Sequence, residues 1–179
     1  RLFPLKGYDN IVEISQKIIK RKPNVKFLII GDGIMLDSIK ASLKKANILD
    51  NFLFVGLIPP DQVYKYLAQI DILLHLSLRE GLPRAVVQSL ASGKPSVAFN
   101  LDGTPEVLIN DVTGFIVSPK DIDIVIDKLV YLLENEKIRD QMGKNGKELV
   151  RDKFDWLVMV RELESEYLKV LYSNALIYR

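Results

Sequence analysis

Apolar residues at Ile11, Ile14, Ile18 and Ile19 follow Gly7 at helical spacing and stop at Lys22-Pro23. This spacing predicts an amphipathic helix ended by the proline. The run from Val25 to Ile30 predicts a buried strand that closes at Gly31-Asp32-Gly33. The alternation then repeats: Leu36, Ile39 and Leu43 mark a helix, Phe52 to Val55 a strand, Val63 to Leu67 a short helix, and Ile72 to Leu76 another strand. A helix from Pro83 to Ser92, a strand from Ser96 to Phe99, a helical turn near Glu106 and a strand from Phe115 to Val117 complete the series. From Asp121 the pattern is helical to the end, with a break expected near Gly143 and Gly146. Short strands alternating with helices predict an α/β fold, a Rossmann-like parallel sheet with helices on both faces. No repeat or low-complexity linker divides the chain, so residues 1–179 read as one domain.

In open sheets of this kind ligands sit beyond the carboxyl ends of the strands. The loops after Ile30, Val55, Leu76, Phe99 and Val117 therefore hold the candidate chemistry. Near the C-terminus, Leu129, Leu132, Leu133, Trp156, Val160, Leu163, Tyr167 and Leu171 recur mostly at intervals of three or four, the ordinary packing pattern of amphipathic helices.

Composition narrows the partners more than it names them. The 25 Lys and Arg against 23 Asp and Glu leave a net charge of +2, which gives no global field for nucleic acid or a membrane, so any anion site is local. There is no cysteine, which removes disulfides, thiolate metal sites and a thiol nucleophile, and makes a cytoplasmic setting the expectation. No run approaches the roughly 18 to 20 apolar residues of a spanning helix. The abrupt opening Arg1-Leu2-Phe3-Pro4-Leu5-Lys6-Gly7 reads as a chain cut close to a strand end, and a fragment is expected.

The densest chemistry lies in Ser77-Leu78-Arg79-Glu80-Gly81-Leu82-Pro83. Gly81 permits close backbone approach to a ligand, and Pro83 suits the first helical turn, whose unpaired N–H groups and positive dipole end hold a phosphate. Alternatively, Ser77 and Glu80 fit a capping box, in which Glu80 merely satisfies backbone donors. His75, the only histidine, reads as a hydrogen-bonded structural imidazole. Asp121-Ile122-Asp123 reads as a helix start rather than a metal pair, and Thr104-Pro105-Glu106 as a cap, a first helical residue and a dipole-compensating acid, with a sugar-site role for Glu106 as the alternative.

These landmarks, in order, resemble the family-4 retaining glycosyltransferases of GT-B fold, the glycosyl transferases group 1. The resembling residues are Arg1-Leu2 with Lys6-Gly7, Gly31-Asp32-Gly33, Phe54-Val55-Gly56, the 71–95 segment, Gly93-Lys94-Pro95, Gly103 to Glu106 and Thr113-Gly114-Phe115. The resemblance implies the C-terminal, donor-binding half of a two-domain protein, the acceptor domain lying outside this chain. It implies a nucleoside diphosphate sugar as substrate and no metal or other cofactor. Arg1 and Lys6 would clamp the diphosphate and stabilise its growing charge as the glycosidic bond breaks. Glu80, with Gly81 and Leu82, would hold the sugar. Gly33, Ser77 and Pro83 complete the expected donor contacts, although a simple strand-to-helix turn is the alternative for Gly33.

One departure stands out. The pattern's second acidic position, seven residues after Glu80, is Gln88, and in the family that residue bonds the ribose hydroxyls. An amide accepts and donates hydrogen bonds, so ribose contact is retained in altered form. A GT-B nucleotide-sugar epimerase and a non-catalytic sugar-nucleotide module remain the alternatives. The resemblance also implies that the last helix exposes apolar surface meant for the other domain, and that the full-length protein is free to associate peripherally with the inner face of the membrane.

Overall fold

The structure, a computed structural model, describes residues 2–175. Five strands and eight α-helices alternate: α1 Ile11–Arg21, β1 Phe27–Ile30, α2 Leu36–Lys45, β2 Phe52–Gly56, α3 Val63–Leu67, β3 Leu73–His75, α4 Arg84–Ala91, β4 Ser96–Phe99, α5 Thr104–Val107, β5 Gly114–Val117, α6 Ile122–Glu134, α7 Glu136–Lys153 and α8 Trp156–Ala175. Every strand pair is parallel. The ladder comes in two parts, β1 with β2 and β3 with β4 and β5.

What ties the two parts together is the segment before α1. The Leu2 N–H donates to the Asp32 carbonyl just after β1, and the Leu78 N–H just after β3 donates to the Leu5 carbonyl. Leu2 is fully buried in a core shared with Ile29, Leu76, Val97 and Phe99. Residues 2–7 thus form a strap across the carboxyl ends of β1 and β3.

Strand alternation explains the layers. Val97, Phe99, Phe115 and Val117 join the larger core with Ile14 and Ile18 of α1 and Ile126 and Leu129 of α6. Their neighbours Ala98 and Ile116 join a second cluster with Val86 and Leu90 of α4 and Val150 of α7. Successive side chains of a strand point to opposite faces, so helices cover both faces of the three-stranded part.

Some boundaries differ from the sequence reading. Val25 and Lys26 lie outside β1, because the Val25 N–H closes a turn onto Lys22 and the Val25 carbonyl accepts from the Asn51 amide. Pro83 precedes α4 as its N-cap, its carbonyl receiving the N–H groups of Val86 and Val87. Gly103, not Thr104, caps α5, with Pro105 inside the first turn. The expected break at Gly143 and Gly146 does not occur: α7 runs through both, and the chain breaks at Asn135 and at Phe154 instead.

The glycines serve contact rather than termination. A Cβ on Gly143 would lie 2.0 Å from the Gly93 carbonyl oxygen, and one on Gly146 2.7 Å from Leu90 Cδ2. Their missing side chains let α7 lie against α4. The apolar spacing in α8 also has an outcome the packing reading did not anticipate: Trp156, Tyr167 and Leu171 are each about two-thirds exposed.

Alanine in place of glycine ordinarily stabilises a helix by about 1 kcal/mol, whereas overpacking costs about 1–3 kcal/mol. Because backbone yields less than a side-chain tip, Gly143→Ala is expected to lower stability clearly and Gly146→Ala less. Urea unfolding checks this order, and an unchanged or raised midpoint for Gly143→Ala would refute the close approach.

Candidate functional site

The strap places Lys6 beside the loop after β3. Lys6 ends a 3-10 turn, Pro4–Lys6, and Gly7 follows in the left-handed region with φ of 72°. A Cβ on Gly7 would sit 1.9 Å from the Leu76 carbonyl oxygen. Both the handedness and the space therefore require glycine here. The contact seats Lys6 over the end of β3, where its Nζ forms an ion pair with Glu80 Oε1. Ser77 Oγ donates to the carbonyls of Leu5, at 3.2 Å, and Arg79, at 3.3 Å, locking loop and strap together.

On the opposite side the loop after β4 holds the same segment. Asp102 Oδ2 accepts the Glu80 N–H at 2.7 Å, and the Gly103 N–H donates to the Gly81 carbonyl at 3.2 Å. These loops enclose an open cavity of about 460 Å³ lined by Arg79, Glu80, Gly81, Leu82, Asp102, Gly103 and Glu106.

Burial pushes the Glu80 carboxyl up, but hydrogen bonds from Lys6 and Ser77 and the Lys6 charge outweigh it, so the net shift is below the ordinary carboxylate value. Glu80 is thus ionised at neutral pH. Burial lowers the His75 imidazole, Glu80 opposes this and the Lys6 charge adds to it, and the net shift is downward. His75 Nε2 lies 3.6 Å from Glu80 Oε1. That nitrogen is buried without a hydrogen-bond partner, so the hydrogen bond expected of a structural imidazole is not made at Nε2.

Of the expected residues, Glu80, Gly81 and Leu82 line the cavity; Lys6 and Ser77 are outside its lining, Lys6 paired with Glu80 and Ser77 bonded to the strap and loop, and Pro83 is buried. Arg1 lies outside the described residues. Gln88 is exposed on α4 and is not part of the cavity lining. Gly33 packs against the strap, since a Cβ there would lie 2.4 Å from the Leu2 carbonyl oxygen. The capping box does not form: the Glu80 N–H goes to Asp102 and α4 begins only at Arg84. Asp123 lies in the first turn of α6 and pairs with Lys17 of α1 at 2.7 Å. Among the described residues no group of His, Cys, Asp or Glu is placed to hold a metal ion.

Sequence reasoning missed Asp102. Its only local signal is an Asp-Gly pair after a strand, a turn signature that says nothing of the Glu80 N–H.

The His75 burial makes a pH prediction. Its folded value lies below its unfolded value, so as pH falls from about 6.5 the unfolded chain binds the proton first. The contribution of neutral His75 is complete above that pH and is lost on descending toward the folded value, with a slope of at most about 1.4 kcal/mol per pH unit. Urea unfolding between about pH 7.5 and pH 5.5 should show a shallower decline for His75→Leu than for the parent chain. Parallel declines would show that His75 does not titrate on unfolding.

Comparison with known proteins gives the geometry its context. The chain is 30% identical over 170 residues to the N-acetyl-alpha-D-glucosaminyl L-malate synthase of Bacillus anthracis, covering 95% of this chain and 44% of that protein. It superposes with a TM-score of 0.85 on Anabaena HepE in complex with UDP, at 20% identity over 95% of this chain and 47% of HepE. The C-terminal domain of the glycosyl transferase group 1 family protein LpcC from Francisella tularensis matches with a TM-score of 0.78 and 25% identity, over 87% of this chain and 83% of that one. The chain thus spans less than half the length of the first two, and its architecture is that of the C-terminal half of a GT-B fold. Residues 1–149 match the family described as Glycosyl transferases group 1, and this chain belongs to that family.

Proposed function

We propose that this chain is the donor-binding domain of a retaining glycosyltransferase that moves a sugar from a nucleoside diphosphate to an acceptor alcohol without a metal. The observation that carries this reading is the ion pair that brings Lys6 to Glu80, a residue of the cavity lining. A cation and an ionised carboxylate side by side are complementary to the two halves of a sugar nucleotide. The phosphate takes the ammonium, and sugar hydroxyls donate to the carboxylate. Arg1, which precedes Leu2 in the sequence, supplies the second cation. Amides in the first turn of α4, which have no partner within the helix, stand beside the same loop and favour an anion.

Without a metal, Lys6 and Arg1 stabilise the charge that develops on the departing nucleoside diphosphate. Glu80 orients the sugar, and the phosphate itself assists removal of the acceptor proton on the face of the leaving group. Gln88 bonds the ribose through its amide. The acceptor binds mainly to a preceding domain, and the whole protein works in the cytoplasm or at the inner face of the membrane. HepE binds UDP, which makes uridine the first base to try.

Titration of UDP, GDP and ADP against thermal unfolding tests the reading. At about 100 times its dissociation constant a ligand stabilises by about 2.7 kcal/mol, worth roughly 5–10 °C for a chain of this size. Lys6→Ala should abolish the shift and Asp121→Ala should retain it. The reverse pattern, or no shift with any of the three, would overturn the proposal. Residues 1–179 alone are expected to transfer no sugar, and turnover comparable with a full-length enzyme would refute the assignment of the acceptor site to another domain.

A further inference from the structure

Among the described residues Asp102 is one of three non-glycine residues with positive φ, beside Asn47 and Asp111. Its φ of 47° places it in the left-handed region, which disfavours a side chain by roughly 1–2 kcal/mol, though less for Asp and Asn. The Asp111 carboxylate bonds only its neighbour Asn110. The Asp102 carboxylate instead reaches across to the loop of another strand and accepts the Glu80 N–H at 2.7 Å. The left-handed turn is what aims it there. The next residue repeats the tie: the Gly103 N–H bonds the Gly81 carbonyl, and a Cβ on Gly103 would lie 2.2 Å from that oxygen, so the two loops are in backbone contact.

Residue 80 is therefore held at two points of different character. Its carboxylate is held by Lys6 from the strap, and its backbone by Asp102 from the loop after β4. If Lys6 turns to a phosphate, the carboxylate loses its partner while the backbone tie stays. We propose that Asp102 is a positioning residue: its carboxylate fixes the backbone of residue 80, so that Glu80 keeps its place in the cavity after Lys6 has been drawn to the donor. The role in donor binding rests on the function proposed above; the clamp itself does not.

Two variants separate the clamp from folding. Glycine adopts positive φ freely, so Asp102→Gly keeps the turn and removes only the acceptor. Asp102→Asn keeps both a left-handed preference and an acceptor oxygen, without the charge. In amide hydrogen exchange without ligand, Asp102→Gly should speed exchange at Glu80 about ten-fold or more, with core strands unchanged, and Asp102→Asn should restore most of the protection. Unchanged exchange at Glu80 in Asp102→Gly overturns the proposal, as does a loss spread evenly over the chain or a failure of Asp102→Asn to rescue.

Calorimetry with UDP and with UDP-glucose then reads the positioning. Asp102→Gly should leave UDP affinity within about two-fold and weaken UDP-glucose about ten-fold, because only the sugar meets Glu80. Equal loss for both ligands, or for neither, removes the positioning role. If the parent chain binds none of UDP, GDP and ADP, the donor-binding function fails and the positioning role falls with it, while the exchange result still decides whether Asp102 clamps the loop; a chain that binds GDP or ADP instead is titrated with that nucleotide and its glucose conjugate, with the same outcomes.

Discussion

The absence of a side chain at Gly7 is the constraint on which the site depends. A Cβ there would stand 1.9 Å from the Leu76 carbonyl oxygen, so only glycine lets the strap lie on the end of β3. Once it does, Leu5 receives the Leu78 N–H and the Ser77 hydroxyl, and Lys6 reaches the loop that carries Glu80. The same strap buries Leu2 in the common core and bonds the turn after β1. One short segment thus joins the two parts of the sheet and delivers the site's cation, and errors in its seating would be felt in fold and chemistry together.

The second level of organisation is the bracketing of the loop after β3. It leaves β3, a half-buried strand paired with β4, so its path is fixed at one end, and Pro83 fixes it at the other by capping α4. Between these anchors the strap grips it from one side and the Asp102-Gly103 turn from the other. Loops with few internal contacts carry function well only when a rigid scaffold positions them. Here the scaffold is supplied by backbone acceptors and donors on neighbouring strand ends.

Much of this was legible in the sequence because it is local. The i, i+3, i+7 spacing of Ile11, Ile14 and Ile18 becomes the buried face of α1, and the apolar runs become strands within a residue or two of their expected ends. Gly143 and Gly146 misled because glycine's local preference is to break a helix, while the contact with Gly93 and Leu90 depends on residues some fifty positions away. Asp102 and Glu80 are 22 residues apart, and nothing in either residue's neighbourhood announces the bond. The exposed apolar face of α8 was foreseen from the family resemblance and not from its spacing, since spacing alone reads as packing. The unsatisfied nitrogen of His75 was invisible for a related reason: burial is predictable from an apolar run, but the partner is a matter of tertiary geometry.

The Lys6–Glu80 pair has an energetic logic of its own. Lys6 is about one-third exposed and Glu80 about one-fifth, and a pair of this kind contributes only about 0–1 kcal/mol to stability. It is nonetheless enough to keep the carboxylate ionised against the desolvation that would raise its pKa. A hydrogen bond from an ammonium to a charged phosphate oxygen is worth about 1.5–3 kcal/mol. On the proposed reading, Lys6 exchanges one charged oxygen acceptor for another of the same kind, and the exchange requires no loop to unfold. A fully buried pair would lose about 3–5 kcal/mol when broken and would hold Lys6 back from the donor. Partial exposure makes the pair a preorganised resting state, firm enough to hold Lys6 beside Glu80 and weak enough to surrender it.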